Sequence, residues 1–344
     1  MANNEQRKMR TFLDECYKAI LDQPAAISRT LAPSNHPNSF EKLENASRIF
    51  LTGAGDSYVV SLFGYFVFAQ LGLNTSVFEA ADVKFFPFRK GDVLIAVSAS
   101  GRSTQTLQTI ESATKVKVET FGLTENPKGA LAKIVDHLWL TQAHPHSYDI
   151  SPSSTTTSAM ALLLWVAEEL SKTVTQKKPT QILLQKAEQV LTWAESWGNQ
   201  TAKELKREEI IFILGLGPTY VAALLGMMKL HEYAVTKGIP VHMEEFAHHT
   251  KLVVNEGDPV ILLPPRSSAK TDYFKTIEKG TRDVIRANTF VLQMPSDIVQ
   301  NNELLETLFL TFPLQYLAYY LAKTREPPIL GWREPHVNAF KIYK

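Results

Sequence analysis

Two stretches of the chain share one pattern of apolar and polar positions. Ile49–Val59 reads IFLTGAGDSYV, and 162 residues later Ile211–Val221 reads IFILGLGPTYV, with six of eleven positions identical. Each opens with a run of β-branched and apolar residues, the mark of a strand buried on both faces. A Gly-x-Gly turn follows, then a long helical periodicity, Tyr58–Leu71 in the first stretch and Tyr220–Thr236 in the second. Second strands are predicted at Asn74–Phe78 and Val241–Met243, and third strands at Val93–Ser98 and Val260–Leu263. The third strands open alike, GDVLI from Gly91 and GDPVI from Gly257. Alternating strand and helix in two copies predicts an α/β protein: two tandem doubly wound (flavodoxin-like) domains with parallel sheets and flanking helices.

The remaining pattern sets the boundaries. Residues 1–40 form an N-terminal helical segment, with Glu5–Leu31 helical and broken at Pro24. The first domain spans 41–180 and the second 181–325, and the polar stretch Ser171–Gln181 carries the chain between them. Helical patterns at Gln181–Trp197 and Thr201–Lys206 precede the second copy, and Glu303–Thr324 is a strong C-terminal helix. Residues 326–344 are a proline-rich tail.

Composition narrows the class of function. Basic and acidic residues number 36 and 35, a net charge of +1, so no long-range field draws the chain to nucleic acid or an anionic membrane. The longest apolar run, Ala159–Ala167, is far below the roughly 20 residues of a membrane span. No apolar run of signal-peptide length opens the chain. A single cysteine, Cys16, fits a reducing compartment. It lies in a charged helical pattern with nothing to activate the thiol, and is expected to be a half-buried helix residue. These features point to a cytoplasmic, soluble protein.

The chemistry is concentrated beyond the predicted strand ends, where open parallel sheets bind ligands. The third strand of the first copy runs into Ser98-Ala99-Ser100-Gly101-Arg102-Ser103-Thr104 and then a helix. Hydroxyls and free N–H groups at a helix start suit a phosphate, although serine there is also an ordinary helix cap. Ser151–Ser158 (SPSSTTTS) opens another helix, where an ordinary flexible loop is the plainer alternative, and Ser57 follows the first Gly-x-Gly turn. The second copy has Pro264–Ala269 (PPRSSA) in the matching place, and its prolines lack N–H donors, so the phosphate loop belongs to the first copy alone. Neither Gly-x-Gly turn carries the third glycine of a dinucleotide fingerprint, although Glu79 stands about where a ribose-binding acid would. In the second copy, Lys229-Leu230-His231-Glu232-Tyr233 ends the long helix, and Glu244-Glu245-Phe246-Ala247-His248-His249 follows the next strand. Moving a proton between two sugar carbons needs a carboxylate base, and opening a sugar ring suits a histidine. Either residue type is more often a solvated surface group. His242, His248 and His249 match no standard metal-ligand spacing, so no metal and no cofactor are expected.

Taken together, GAGDSY, SASGRS, SPSSTTT, KLHEY with EEFAHH, and the helix FPLQYLAYYLA resemble the SIS (sugar isomerase) domain family. The likeness, over roughly residues 40–344, is to the isomerase half of glucosamine-6-phosphate synthase and to related deaminases and deglycases. It implies two SIS domains and a phosphosugar aldose–ketose isomerase, deaminase or deglycase working through an enediol(ate). The implied substrate is a sugar 6-phosphate such as fructose 6-phosphate or glucosamine 6-phosphate. It also implies Glu232 as the base, His248 as the ring opener and Lys341 as the tail lysine that closes the site. Ser57, Ser98, Ser100 and Ser103 become phosphate ligands, and Gly55, Ala99, Ser154 and Glu245 sugar contacts. A homodimer with a site shared between subunits follows from the same likeness. Ala99 and Arg102 replace the glutamine and glutamate usual in the family's loop. Cys16 does not stand where an N-terminal nucleophile would, so glutamine-dependent amination is not expected. A non-catalytic phosphosugar sensor is the alternative, since a sensor needs the phosphate loop but not Glu232 and His248.

Overall fold

In a computed structural model, the described residues are 2–143, 150–171, 178–205, 210–298 and 302–324, together with His336, Ala339, Phe340 and Ile342, with side chains from Phe12 onward. The elements are α1 (Ala2–Leu21), α2 (Gln23–Thr30), β1 (Arg48–Gly53), α3 (Asp56–Ala69), β2 (Thr75–Glu79), β3 (Asp92–Val97), α4 (Thr104–Lys115), β4 (Glu119–Thr124), β5 (His137–Leu140) and α5 (Ser154–Leu170). There follow α6 (Pro179–Glu204), β6 (Ile211–Gly215), α7 (Thr219–Lys229), β7 (Gly238–His242), α8 (Met243–His248), β8 (Pro259–Leu263), α9 (Asp272–Lys279), β9 (Asn288–Val291) and α10 (Glu303–Lys323). All strands of both sheets are parallel, with order β2-β1-β3-β4-β5 in one and β7-β6-β8-β9 in the other. The chain is therefore α/β with two parallel sheets and flanking helices. It divides into two units. The β1–β5 unit comprises residues 21–184 and 333–344, and the β6–β9 unit residues 1–20 and 185–332.

In the β1–β5 unit, one sheet face buries Phe50, Phe78 and Leu94 against Leu107 and Ile110 of α4. On the other face Gly64 of α3 is a necessity of packing. A Cβ there would stand 2.5 Å from Leu51 and 3.1 Å from Leu163. In the β6–β9 unit, Phe212, Leu214, Val260 and Leu262 pack with Phe246 and Phe274. Gly226 of α7 plays the matching part, its missing Cβ pointing at Leu314 (2.8 Å) and Ile213 (3.2 Å). The Gly-x-Gly turns are also built alike. Gly53 and Gly215 admit the following helix so closely that a Cβ would meet its backbone at 2.6 and 2.4 Å. Gly55 and Gly217 take φ of +58° and +56°, where glycine alone is unstrained. The paired Gly-Asp motifs are structural. Gly91 and Gly257 turn the chain at φ +90° and +85°, and Asp92 receives Arg48 and Arg89 at the strand starts, away from the ligand edge.

Four expectations need correction. The two helices read at Gln181–Trp197 and Thr201–Lys206 are one, α6, because Gly198 sits inside it. That glycine's missing side chain is the space into which Tyr316 packs, 2.6 Å from where a Cβ would be. The N-terminal segment does not hold together as one piece, since residues 1–20 group with 185–332. The cause is visible at Tyr17. Its hydroxyl donates to Glu195 Oε1 at 2.7 Å, as does that of Tyr320, and its ring stacks on Tyr319. The break falls at Asp22, ahead of Pro24, because proline fits the first turn of a helix and so starts α2 rather than ending α1. Cys16 is fully buried in α1 rather than half-buried.

Candidate functional site

Ser98 ends the ladder of β3, its N–H donating to Leu123 O, and the chain then turns through Gly101 at φ +65°. That turn is clamped from behind. Gly101 and Gly129 are packed back to back, and Asn126 Nδ2 donates to Ser100 O at 3.0 Å. Ser98 and Ser100 are buried and Ser103 is half-buried, while Arg102 is exposed. Ser103 occupies the N-cap position of α4 but makes no side-chain cap bond. The plain capping role is therefore not what its hydroxyl does. Ser57 stands in the first turn of α3, whose N-cap is Gly55. Ser57 thus follows β1 and the Ser98–Ser103 loop follows β3, two neighbouring strands where the sheet order reverses. Ligands of doubly wound sheets bind at that crevice. The first N–H of α4, on Thr104, donates to Ile342 O at 3.0 Å, so the tail reaches this helix end. Lys341 itself lies outside the described residues.

The hydroxyl cluster before and within α5 is not a flexible loop. Ser151 and Ser153 through Ser158 are all buried. Thr156 and Thr157 turn their hydroxyls back onto Pro152 O and Ser153 O. Thr155 donates to Glu125 Oε2 at 2.5 Å, and the N–H of Glu125 donates to Ala99 O. Glu125 therefore ties α5 to the back of the serine loop, and Ser154 lies inside that packing.

Glu232 sits where α7 gives way to a single π-turn, Leu230–Ala234, a widening of the helix that is frequent at functional sites. The turn ends at Val235 with φ +50°, a conformation that costs a β-branched residue strain. Lys229 is 1% exposed, and its Nζ donates to Glu232 Oε2 at 2.7 Å. A buried ammonium needs such a partner, so the carboxylate is held by a fixed cation one helical turn back. Sequence reasoning placed no role on Lys229; its i, i+3 spacing from Glu232 was the available signal. His231 is structural, its Nε2 accepting the Gly238 N–H at 3.2 Å.

His248 is not brought to Glu232. It pairs on its own helix with Glu244, at 3.0 Å, and its side chain is 69% exposed. Glu245 pairs with His249 in the same way, at 2.7 Å. The Tyr273 hydroxyl and His248 together hold the Glu244 carboxyl below the usual range. Exposed Leu252 and Val253 follow directly.

The loop after β8, which matches the serine loop in position, is already occupied. Ser267 donates its N–H to Glu303 Oε1 at 3.2 Å and also its hydroxyl, and Arg266 pairs with buried Glu306. Carboxylates of α10 fill the place where an anion would lie. Among the described residues, no cluster of three or more His, Cys, Asp or Glu side chains is placed to hold a metal ion, and no helix is long and apolar enough to cross a membrane.

Residues 42–168 match the sequence model of the SIS domain family. The isomerizing glutamine–fructose-6-phosphate aminotransferase of Pyrococcus horikoshii is 26% identical over 331 residues, covering 89% of this chain and 54% of that protein. The chain thus spans about half the length of the curated relatives it matches. Among solved structures, glucosamine-6-phosphate deaminase from Thermotoga maritima superposes with a TM-score of 0.73 at 18% identity, over 90% of this chain and 94% of that one. Tagatose-6-phosphate ketose/aldose isomerase from Escherichia coli gives 0.72 at 19%, over 89% and 92%. These two likenesses establish the fold.

Proposed function

We propose, from the match of residues 42–168 to the SIS domain family, that the protein is an enzyme that enolises a sugar 6-phosphate, as an aldose–ketose isomerase or an isomerising deaminase or deglycase. The observation that carries this reading is the serine loop at the carboxyl end of β3, whose cap serine leaves its hydroxyl off the helix. Ser57, Ser98, Ser100 and Ser103 bind the phosphate. Gly55 and Ala99 line the sugar, Glu232 moves the proton between C1 and C2, and Lys341 closes over the substrate. The names of the relatives, a fructose-6-phosphate aminotransferase and a ketose/aldose isomerase, agree with chemistry of this class. Incubation with fructose 6-phosphate and with glucosamine 6-phosphate in D2O, with product and ammonia analysis, tests it. Deuterium or product formation supports an enzyme, and ammonia selects the deaminase. Tight binding with neither exchange nor product would replace the enzyme by a sensor.

The phosphate assignment makes its own prediction. Ser103→Ala weakens fructose 6-phosphate by about tenfold, the worth of a hydrogen bond to a charged group, and leaves fructose unchanged. Equal weakening of both sugars, read by titration, contradicts the role.

The working unit is a homodimer in the cytoplasm, and His248 acts on the sugar held by the other copy. What supports this is the exposure of His248 beside Leu252 and Val253, an apolar pair left in solvent. Glu232→Gln and His248→Ala are each inactive alone. Mixed after dissociation and reassociation they regain activity, because half of the mixed sites carry both native groups. No recovery in a verified mixed dimer places His248 in its own subunit's site.

A further inference from the structure

Glu79 is the last residue of β2 and lies in register with Gly53 of β1. On the other flank of β1, Thr52 is opposite Ala96, so β3 ends one residue later and Ser98 begins the serine loop. Two strand spacings, about 10 Å, separate Glu79 from the start of that loop. Side chains alternate along a strand, and Phe78 is buried in the core on the α4 face, so Glu79 falls on the opposite face. Gly53, its neighbour in register, has its missing Cβ aimed at Ser57 of α3. Glu79 therefore flanks the first turn of α3 at the ligand edge of the sheet.

Its carboxylate has no hydrogen-bonded or cationic partner among the described residues. Glu79 is exposed at the end of β2, and local desolvation, then the nearby Asp82, push its pKa above the ordinary carboxylate range. A crevice with serines for a phosphate gains nothing from an unpaired acid at its rim, since like charges repel. A substrate that is itself a zwitterion removes the conflict, with its anion on the serines and its cation on Glu79.

We propose that Glu79 selects amino-bearing substrates: its carboxylate binds an ammonium group on the sugar while the Ser98–Ser103 loop holds the 6-phosphate. The inference rests on the phosphosugar reading above. A hexose phosphate is long enough to bridge the two places, and the ion pair adds to binding only when the amine is present.

Two open-chain ligands that cannot enolise separate this from catalysis. Glucosaminitol 6-phosphate and glucitol 6-phosphate differ only by an ammonium in place of a hydroxyl. Titration calorimetry at pH 7 is expected to show wild-type protein preferring the amino ligand by about tenfold or more, the scale of a charge-assisted hydrogen bond. Glu79→Gln abolishes that preference and leaves glucitol 6-phosphate affinity unchanged, with unfolding temperature checking that the variant is folded. A preference kept in Glu79→Gln, an equal loss for both ligands, or no preference in the wild type overturns the inference while leaving the phosphosugar reading intact. Binding of neither ligand by the wild type overturns both.

Discussion

Replacing Glu232 by glutamine is expected to lower turnover of the sugar phosphate by about 10²–10⁴-fold, the usual worth of a positioned general base. Deuterium entry from D2O should fall with it, and binding of the phosphosugar should not, because the serines proposed to hold the phosphate are untouched. The complication is Lys229. Its ammonium is buried against Glu232 Oε2, and a neutral amide satisfies it less well. Removing the partner of a buried charge outright costs roughly 3–5 kcal/mol, so Glu232→Ala would confuse unfolding with loss of chemistry. Glutamine keeps an oxygen for the Lys229 N–H to reach. Lys229→Met added to Glu232→Gln removes the unpaired charge altogether. The double variant should recover thermal stability relative to Glu232→Gln and remain inactive. Recovery of turnover along with stability would mean that Glu232 serves the fold rather than the reaction. Turnover unchanged in the single variant would end its assignment as the base.

The second large effect is expected at Gly53. A Cβ there would lie 2.6 Å from the carbonyl carbon and oxygen of Ser57 and 2.8 Å from the N–H of Tyr58. Those are backbone atoms, which cannot rotate away as a side chain end can. Gly53→Ala must push the first turn of α3 off β1, at a cost on the order of 1–3 kcal/mol for overpacking. Because Ser57 moves with the turn, phosphosugar affinity should fall about tenfold or more, the loss of one charge-assisted hydrogen bond. Gly215→Ala is the matched control. Its Cβ would stand 2.4 Å from the Tyr220 Cα, so it destabilises at least as much, in the unit whose loop is filled by Glu303. Unfolding temperature and phosphosugar titration should therefore both drop for Gly53→Ala, whereas only the first drops for Gly215→Ala. Loss of binding in both variants would show a general effect of destabilisation and remove Ser57 from the phosphate site.

The first and third strands of each copy and the turns after the first were legible in the sequence because they depend on local physics, whereas β4, β5 and β9 were not read and the strand expected at Val241–Met243 lies at Gly238–His242. A fully apolar run such as Ile211-Phe212-Ile213-Leu214 has few other uses, and Gly-x-Gly after it follows from steric need, as the close approaches at Gly53 and Gly215 show. The serine loop was legible for the same reason, its chemistry being contiguous in the chain. α6 was misread because Gly198 lowers helix propensity locally, and only Tyr316, over a hundred residues away, explains its presence. Residues 1–20 were misassigned because Tyr17 finds Glu195 and Tyr319 through packing that no local pattern encodes.

The sequence by itself determined the α/β class, the two sheet-forming stretches and the run of hydroxyls at the end of β3, since hydrophobic period, glycine sterics and contiguous hydroxyls are local properties. Tertiary structure alone decided which groups have partners. It left the Ser103 hydroxyl off its helix, buried Lys229 against Glu232, turned His248 outward onto Glu244, and filled the second loop with Glu303. It also left Glu79, at the end of β2, without a cation among the described residues. Burial and pairing depend on residues far apart in the chain, and they set the free energy of a charge or a hydroxyl far more than its identity does.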